Sequence, residues 1–322
     1  MIRRDKDFHK NSQQSINYPL HKLSNFYNLV FGKSYLYGEY GALKSHIHIF
    51  WQDLRANLFP HFKNKDFLFV SASEDNINKI HSALGSENYY LSDTLWHFLD
   101  RNGVISNLLI YEKCYFEIVY NDHDDFFFES LDPSAIFQLT TEHIYQYLPK
   151  DIRIEKNLSR FQKLNSKNIF CIKLSGELKK DLKGVIKGIG DMSSNSDIPE
   201  FVRNDLMKGA FPNYDRSWYS EKGHIYRAKI TKNTGWSGRE TLSRNMSEYY
   251  QLHRKLKFDQ FVIDFRKCII DGMNKGFNQV SVEGWELIKL EIKNAINEED
   301  VTKVRKSLES GDCSFREVFS FR

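Results

Sequence analysis

The chain has 322 residues, of which 41% are hydrophobic and 27% are charged, and its net charge is +4. This length suits one large domain or two modest ones. The four cysteines lie far apart and form no CxxC pair, which excludes a disulfide framework and a thiolate zinc site. No run approaches the roughly 18 apolar residues of a membrane span, and no apolar segment follows the basic start. We therefore expect a cytoplasmic protein with free thiols.

The N-terminal part of the chain is predicted to be mainly helical. A polar, basic arm covers residues 1–35. Apolar residues at helical spacing predict a helix over residues 41–59, which Pro60 ends. A short apolar run over residues 66–70 predicts a strand, and a second helix over residues 73–85 ends at a glycine.

The strongest local pattern is a long helix over residues 91–114, with Ser92 as its N-cap and one apolar face. It leads into a hairpin whose polar turn is Asn121–Asp125 and whose first strand has two usable faces. Shorter elements follow, namely strands over residues 135–139, 144–148 and 168–174 and a helix over residues 178–189.

The C-terminal part is again predicted to be helical. A helix over residues 200–208 and a strand over residues 224–230 precede three helices, over residues 239–277, 285–296 and 298–311. The pattern predicts an α+β fold with a helical N-terminal part, a central mixed β region containing a long helix, and a helical C-terminal part. It also divides the chain into the arm at 1–35, an α+β domain at 36–190 and a mainly helical region at 191–322.

Charge is segregated along the chain. Twelve acidic residues and only three basic ones lie between Ser71 and Pro133. The chain is basic from Lys150 to Lys187 and again from Lys222 to Lys257. Such segregation either produces two faces of opposite charge or cancels when folding interleaves the segments.

Compact catalytic motifs are missing from the sequence. The GKS at residues 32–34 lacks the first glycine of a phosphate loop, and there is no Gly-x-Ser-x-Gly elbow. His46 and His48 could share a metal ion on a strand but not on a helix. Acidic neighbours disfavour the thiolate of Cys114. We therefore expect no enzymatic activity, no cofactor and no metal.

The cluster Asp122-His123-Asp124 leaves one alternative open. Its HD pair resembles the metal phosphohydrolases, which need further His and Asp ligands on neighbouring helices. In a hairpin turn, these three residues form either a solvated turn or the metal ligands of an enzyme that acts on nucleic acid, such as a nuclease.

The basic stretch KGHIYRAKITKNTGWSGRETLSR is the best candidate for a binding surface. Its cations could neutralise phosphates and its aromatic rings could stack, as sequence-independent nucleic-acid binding requires. The alternation of Tyr226, Ala228 and Ile230 with basic residues predicts a strand with one apolar and one basic face; the other interpretation is a solvated amphipathic strand and loop. The candidate residues for DNA binding or subunit contact are Lys222, Arg227, Lys229, Lys232, Trp236, Arg239 and Arg244.

The order of segments resembles the portal proteins of tailed bacteriophages. SNLLIYEKCYFEIVYN, a hairpin, SLDPSAIF, IYQYLPKDI and KNIFCIKLSG are similar to the central region of that family, where a long helix leads into a strand, the chain turns back and short β-segments build a wing. RKCIIDGMNKGF and VRKSLESGDCSFREVF resemble its late segment. The similarity covers residues 90–175 and 240–320.

The resemblance implies a homo-oligomeric ring at one capsid vertex, with double-stranded DNA passing through its centre. It further implies that capsid proteins and a packaging motor or tail connector are partners, and that the ring is found in the host cytoplasm and in the virion. Residues 36–190 would be wing-like and residues 191–322 would form a stem and clip, with Arg227, Lys229, Lys232 and Arg239 near DNA or a neighbouring subunit. The alternatives are the metal-dependent nuclease and a monomeric protein of host–phage interaction.

Overall fold

The computed structural model describes residues 45–59, 68–71, 73–85, 91–121, 125–182, 228, 230–236, 247–282, 285–293, 295–314 and 317. The described chain forms two compact units, each built from separate segments. The first contains the described residues between Phe59 and Leu174 and between Arg266 and Ala295. The second contains those up to Leu58, those between Ser175 and Phe265, and those from Ile296 onwards.

Helices and antiparallel strands are both present, which confirms the predicted α+β class. The helices are α1 (Ser45–Leu58), α2 (Glu74–Ala83), α3 (Leu91–Arg101), α4 (Val104–Tyr111), α5 (Lys150–Lys156), α6 (Gly176–Leu182), α7 (Glu248–Asn278) and α8 (Glu298–Ser310). The strands are β1 (Leu68–Ser71), β2 (Lys113–Tyr120), β3 (Phe126–Leu131), β4 (Ile136–Gln138), β5 (Ile144–Tyr147), β6 (Phe161–Leu164), β7 (Ile169–Lys173) and β8 (Lys289–Ile292). No helix in these ranges is both long enough and apolar enough to cross a bilayer.

The first unit is built around a sheet of strand order β3-β2-β7. The predicted hairpin is confirmed, with Tyr120 opposite Phe126 and Tyr115 opposite Leu131. The prediction of two usable faces on β2 is wrong, because every residue from Cys114 to Val119 is buried. A sheet covered on both sides has no solvated face, so its central strand is buried on both sides.

Aromatic side chains fill the first face of this sheet. Phe116 stacks on Phe170 of the neighbouring strand, with ring centroids 5.2 Å apart and an interplanar angle of 16°. Phe98 of α3 contacts Phe116 at 5.2 Å, and Phe277 of α7 contacts Phe128 at 5.0 Å. Helices α3 and α7 therefore cover this face through ring contacts, which add to the effect of apolar burial.

Two glycines let α7 lie directly on strand β7. A Cβ atom at Gly272 would be 2.7 Å from Cγ1 of Ile172, and one at Gly276 would be 2.7 Å from the ring of Phe170. Real Cβ atoms essentially never come this close to a neighbour, so no other residue fits unless the helix or the side chains opposite it shift. The two glycines lie four residues apart and so face the sheet together.

The second face of the sheet packs on a smaller sheet of order β4-β5-β6. The interface is a cluster of buried side chains from both sheets: Tyr115, Leu131, Ile136, Ile144, Leu164 and Ile169. Glu117 also lies on this face and is only 2% exposed. The acidic segment between Ser71 and Pro133 therefore does not face outward throughout.

Residues 285–296, predicted to be a helix, contain strand β8 instead. Strand β8 pairs antiparallel with β1, with Leu68 opposite Ile292 and Ser71 opposite Lys289. The side-chain amide of Asn274 completes the bonding of β8: its Nδ2 donates to the carbonyl of Leu290 at 3.1 Å, and its Oδ1 accepts from the backbone N–H of Leu290 at 2.7 Å. Pairing with a distant strand thus overrides a pattern that also fits a helix.

The single helix predicted over residues 91–114 is divided into α3 and α4. Gly103 adopts φ +59°, in the left-handed region, and its position between the two helices explains the break. Ser92 is not an N-cap, because α3 already begins at Leu91. Strand β6 and helix α5 were not predicted.

The second unit packs α1 and α8 against the first part of α7. Phe50, Leu54 and Leu58 of α1 are fully buried, as the helical spacing predicts. On α8, the predicted stop at Gly311 is confirmed by its φ of +79°. The N-terminus of α8 has a capping box, in which the Asn297 side chain accepts from the N–H of Asp300 and the Asp300 side chain accepts in return.

Several predictions fall outside the described residues. These are the arm at 1–35, the turn at Asp122–Asp124, the second part of the helix over residues 178–189, and the helix over residues 200–208.

Substituting Gly276 tests the contact between α7 and β7. Gly276→Ala is expected to lower the free energy of unfolding by about 1–3 kcal/mol, because the added methyl group overlaps the Phe170 ring. Urea unfolding monitored by near-ultraviolet circular dichroism measures the change. Lys275→Ala is the matched control, since Lys275 is the exposed neighbour of Gly276 on the same helix. Equal stability of the two variants would contradict the close approach.

Candidate nucleic-acid interface

The basic stretch that begins at Lys222 contains a helical turn at residues 230–234. The predicted strand over residues 224–230 is therefore wrong in its described part, where Ala228 and residue 230 are helical. Ile230 and Thr234 are both buried and lie four residues apart, whereas Ala228 is exposed. This is the period of a helix, and five alternating residues were too few to distinguish it from a strand.

Trp236 anchors this turn in the core of the second unit. Its indole Nε1–H donates to Oδ2 of Asp53 at 2.8 Å. Its ring meets Phe50 edge-on at a centroid distance of 5.2 Å. Because Trp236 is only 6% exposed, it has no open face for a base, and its role in the described structure is packing.

Gly235 brings the turn into contact with the backbone of α7. It adopts φ +79°, and a Cβ atom there would lie 2.4 Å from the carbonyl oxygen of Arg254. Thr231 and Thr234 close the turn through their hydroxyl groups, which donate to the carbonyls of Trp236 and Ile230. The turn is thus held in place by its packing on α7 and by its own hydrogen bonds.

Lys232 is exposed on this fixed turn. Lys257 of α7 lies beside it, since its Nζ donates to the backbone carbonyl of Lys232. On the other side, Nδ2 of Asn233 donates to the carbonyl of Asp181 at 2.8 Å, which places α6 and its exposed Lys180 next to the turn. We call Lys180, Lys232 and Lys257 the lysine cluster.

Carboxylates offset part of the positive charge of the lysine cluster, since Asp181 and its neighbour Glu177 both belong to α6. Partial burial raises the pKa of Asp181 above its ordinary value, and the nearby ammonium group of Lys257 opposes that rise. Lys257 is therefore partly offset by Asp181, while Lys180 and Lys232 project their charges into solvent.

The remaining candidates from the sequence lie outside the described residues, namely Lys222, Arg227, Lys229, Arg239 and Arg244. Sequence reasoning did not single out Lys180 or Lys257, although Lys257 ends the wider basic segment that begins at Lys222. It also missed Asp53, which is 183 residues from Trp236 and carries no local signal.

The structure disfavours a nucleophile at Cys114 and a shared metal ion at His46 and His48. Burial raises the pKa of the Cys114 thiol to about 12, and the negative charge of Asp132 adds a smaller contribution in the same direction. His46 and His48 lie in helix α1 rather than on a strand. Within the described part of the chain, no three His, Cys, Asp or Glu side chains are grouped so that they could hold a metal ion.

No protein-family model matches the sequence, and no curated protein matches it.

The hydrogen bond between Trp236 and Asp53 is open to a direct test. Trp236→Phe keeps an aromatic ring but removes the indole donor, so the free energy of unfolding should fall by about 1–3 kcal/mol. A double-mutant cycle with Asp53→Ala should show a coupling energy of about 0.5–3 kcal/mol. Unchanged stability together with weaker DNA binding would instead make Trp236 an exposed stacking residue.

Proposed function

We propose that this chain is a ring-forming, portal-like structural protein of a tailed phage or a related element, and that the ring provides a channel for double-stranded DNA during packaging and ejection. The observation that carries the proposal is the order of elements in the first unit. Helices α3 and α4 lead directly into β2, the chain turns back through β3, and the short strands β4, β5 and β6 follow before β7 returns to the sheet. This is the order that the portal resemblance implies for a wing, with its long helix divided at Gly103 into α3 and α4.

The lysine cluster supports a contact with the DNA backbone or with a neighbouring subunit. Phosphates attract cations without regard to sequence, which suits a molecule that must let any DNA pass. The buried Trp236 cannot wedge between bases, so the contact would be electrostatic. We extend the same role to Arg227, Lys229 and Arg239 on the basis of the sequence alone.

A ring of identical subunits requires a heterologous interface, in which two different surfaces of each chain meet. Further partners under this proposal are the capsid and the packaging motor or tail connector. The protein would lie in the host cytoplasm during assembly and in the virion afterwards.

Native mass spectrometry of the full chain tests the ring. A closed assembly of many subunits is expected at micromolar concentration. A monomer or dimer that persists at high concentration would contradict the proposal. Metal-dependent cleavage of plasmid DNA that is lost in Asp124→Ala would replace it with the nuclease alternative.

Salt dependence tests the lysine cluster separately from the ring. Lys180→Gln combined with Lys232→Gln is expected to weaken duplex binding and to reduce the slope of log affinity against log salt by about 2, one for each lost phosphate contact. Lys303→Gln combined with Lys306→Gln on the exposed side of α8 is the matched control for the loss of two charges. An equal effect of both pairs would show that only net charge matters.

A further inference from the structure

The outer face of the small β4-β5-β6 sheet carries a second, chemically different surface. The buried residues Ile136, Ile144 and Leu164 point toward the larger sheet. Because side chains alternate along a strand, the residues between them point the other way. The register places Phe137 opposite Tyr145, Tyr145 opposite Lys163, and Tyr147 opposite Phe161 on this outer face. We call Phe137, Tyr145, Tyr147 and Phe161 the aromatic platform.

The rings of the platform are close together and partly open to solvent. Phe161 lies 5.7 Å from Phe137 and 5.7 Å from Tyr147, in edge-to-face contacts. It is 45% exposed, although a phenylalanine on a covered face of this unit, such as Phe116, is fully buried. The described fold therefore leaves a large part of the Phe161 ring accessible to a planar partner.

Cations border the same rings. The guanidinium carbon of Arg160 lies 5.5 Å from the ring centre of Tyr147 and 5.9 Å from that of Phe161. Lys163 is exposed on the platform itself. The segment from Lys150 to Lys173 holds seven Lys or Arg and two Asp or Glu, a net charge of +5. Both acidic residues of this segment, Asp151 and Glu155, belong to helix α5. Strand β6, which is the part of this segment in the small sheet, therefore brings no carboxylate to the platform.

We propose that the aromatic platform binds single-stranded nucleic acid, with bases stacked on Phe161 and its neighbouring rings and phosphates held by Arg160 and Lys163. Rings offer every base a stacking face, and cations at their border follow the phosphates, which together give binding without sequence preference. A duplex hides its base faces, so the rings select for unpaired strands.

The charge of the platform distinguishes this ligand from a protein partner. An apolar protein contact would need the rings but not Arg160 and Lys163 beside them. These two cations suit a polyanion instead. The platform belongs to the first unit, whereas the lysine cluster and the buried Trp236 belong to the second.

Fluorescence anisotropy with a labelled oligothymidylate and with a labelled duplex of the same length tests the proposal. The wild-type chain should bind the single strand more tightly than the duplex. Phe161→Leu keeps an apolar side chain but removes the stacking face, and it should lower single-strand affinity about 5-fold to 150-fold, the loss of one base stack. Phe161→Tyr keeps the ring and should retain affinity.

Two further variants separate stacking from charge and from general surface changes. Lys163→Gln should reduce the salt slope by about 1, as expected for one phosphate contact. Ile154→Ala removes a side chain that is 70% exposed on α5 and should leave affinity unchanged. Urea unfolding of each variant confirms that the fold is retained.

Three results would overturn the proposal. The first is the absence of single-strand binding at low salt. The second is equal binding of both probes that Phe161→Leu does not change. The third is that Phe161→Leu changes the native mass of the assembly but not the affinity for the single strand, which would make the platform a protein contact. If the protein forms a closed multi-subunit ring that does not bind the oligothymidylate, the portal proposal stays intact and the platform proposal fails. If the protein is a monomer that binds the oligothymidylate, the platform proposal is supported and the portal proposal is contradicted.

Discussion

The close approach of helix α7 to strand β7 is the contact on which the first unit depends. At Gly272 and Gly276 the helix backbone lies against Ile172 and Phe170. This approach brings Phe277 over the hairpin, and Trp285 then reaches Phe126 with ring centroids 4.8 Å apart. Without this helix the sheet would present a row of phenylalanines to water, which is the exposure that apolar burial removes. Because Gly272 and Gly276 have no side chains, the aromatic residues around them can pack in this arrangement.

The two cationic surfaces differ in what accompanies their charge. The lysine cluster lies beside a tryptophan whose ring is buried and whose donor group is occupied by Asp53. The lysine cluster can therefore bind only through its positive charge, which suits the phosphates of any nucleic acid. The aromatic platform combines cations with an exposed ring, so it fits bases that are not paired. Both surfaces are basic in the sequence, and only the exposure of Phe161 and the burial of Trp236 distinguish them.

Local signals predicted the local elements. The hairpin, the stop at Gly311 and the buried face of α1 follow from residue period and capping chemistry. The failure at β8 has a different origin, because it depends on a partner far away in the chain. Ile288 and Leu290 alternate as in a strand, yet Trp285, Ile288 and Ile292 also stand at helical spacing, and only the pairing with β1 decides between the two. Prediction of the candidate site was limited in the same way. The sequence showed the basic stretch, but Trp236 is anchored by Asp53, which lies 183 residues earlier.

The pairing of β1 with β8 also has a consequence for the order of events during synthesis. Leu68 is opposite Ile292, which is made 224 residues later. A chain emerging from the ribosome therefore completes the hairpin and the small sheet long before α7 and β8 exist to cover them. Contacts of such long sequence separation form slowly, and uncovered apolar strands associate with other chains in the meantime. The apolar strands of the first unit thus stay uncovered until residues 266–295 have been translated.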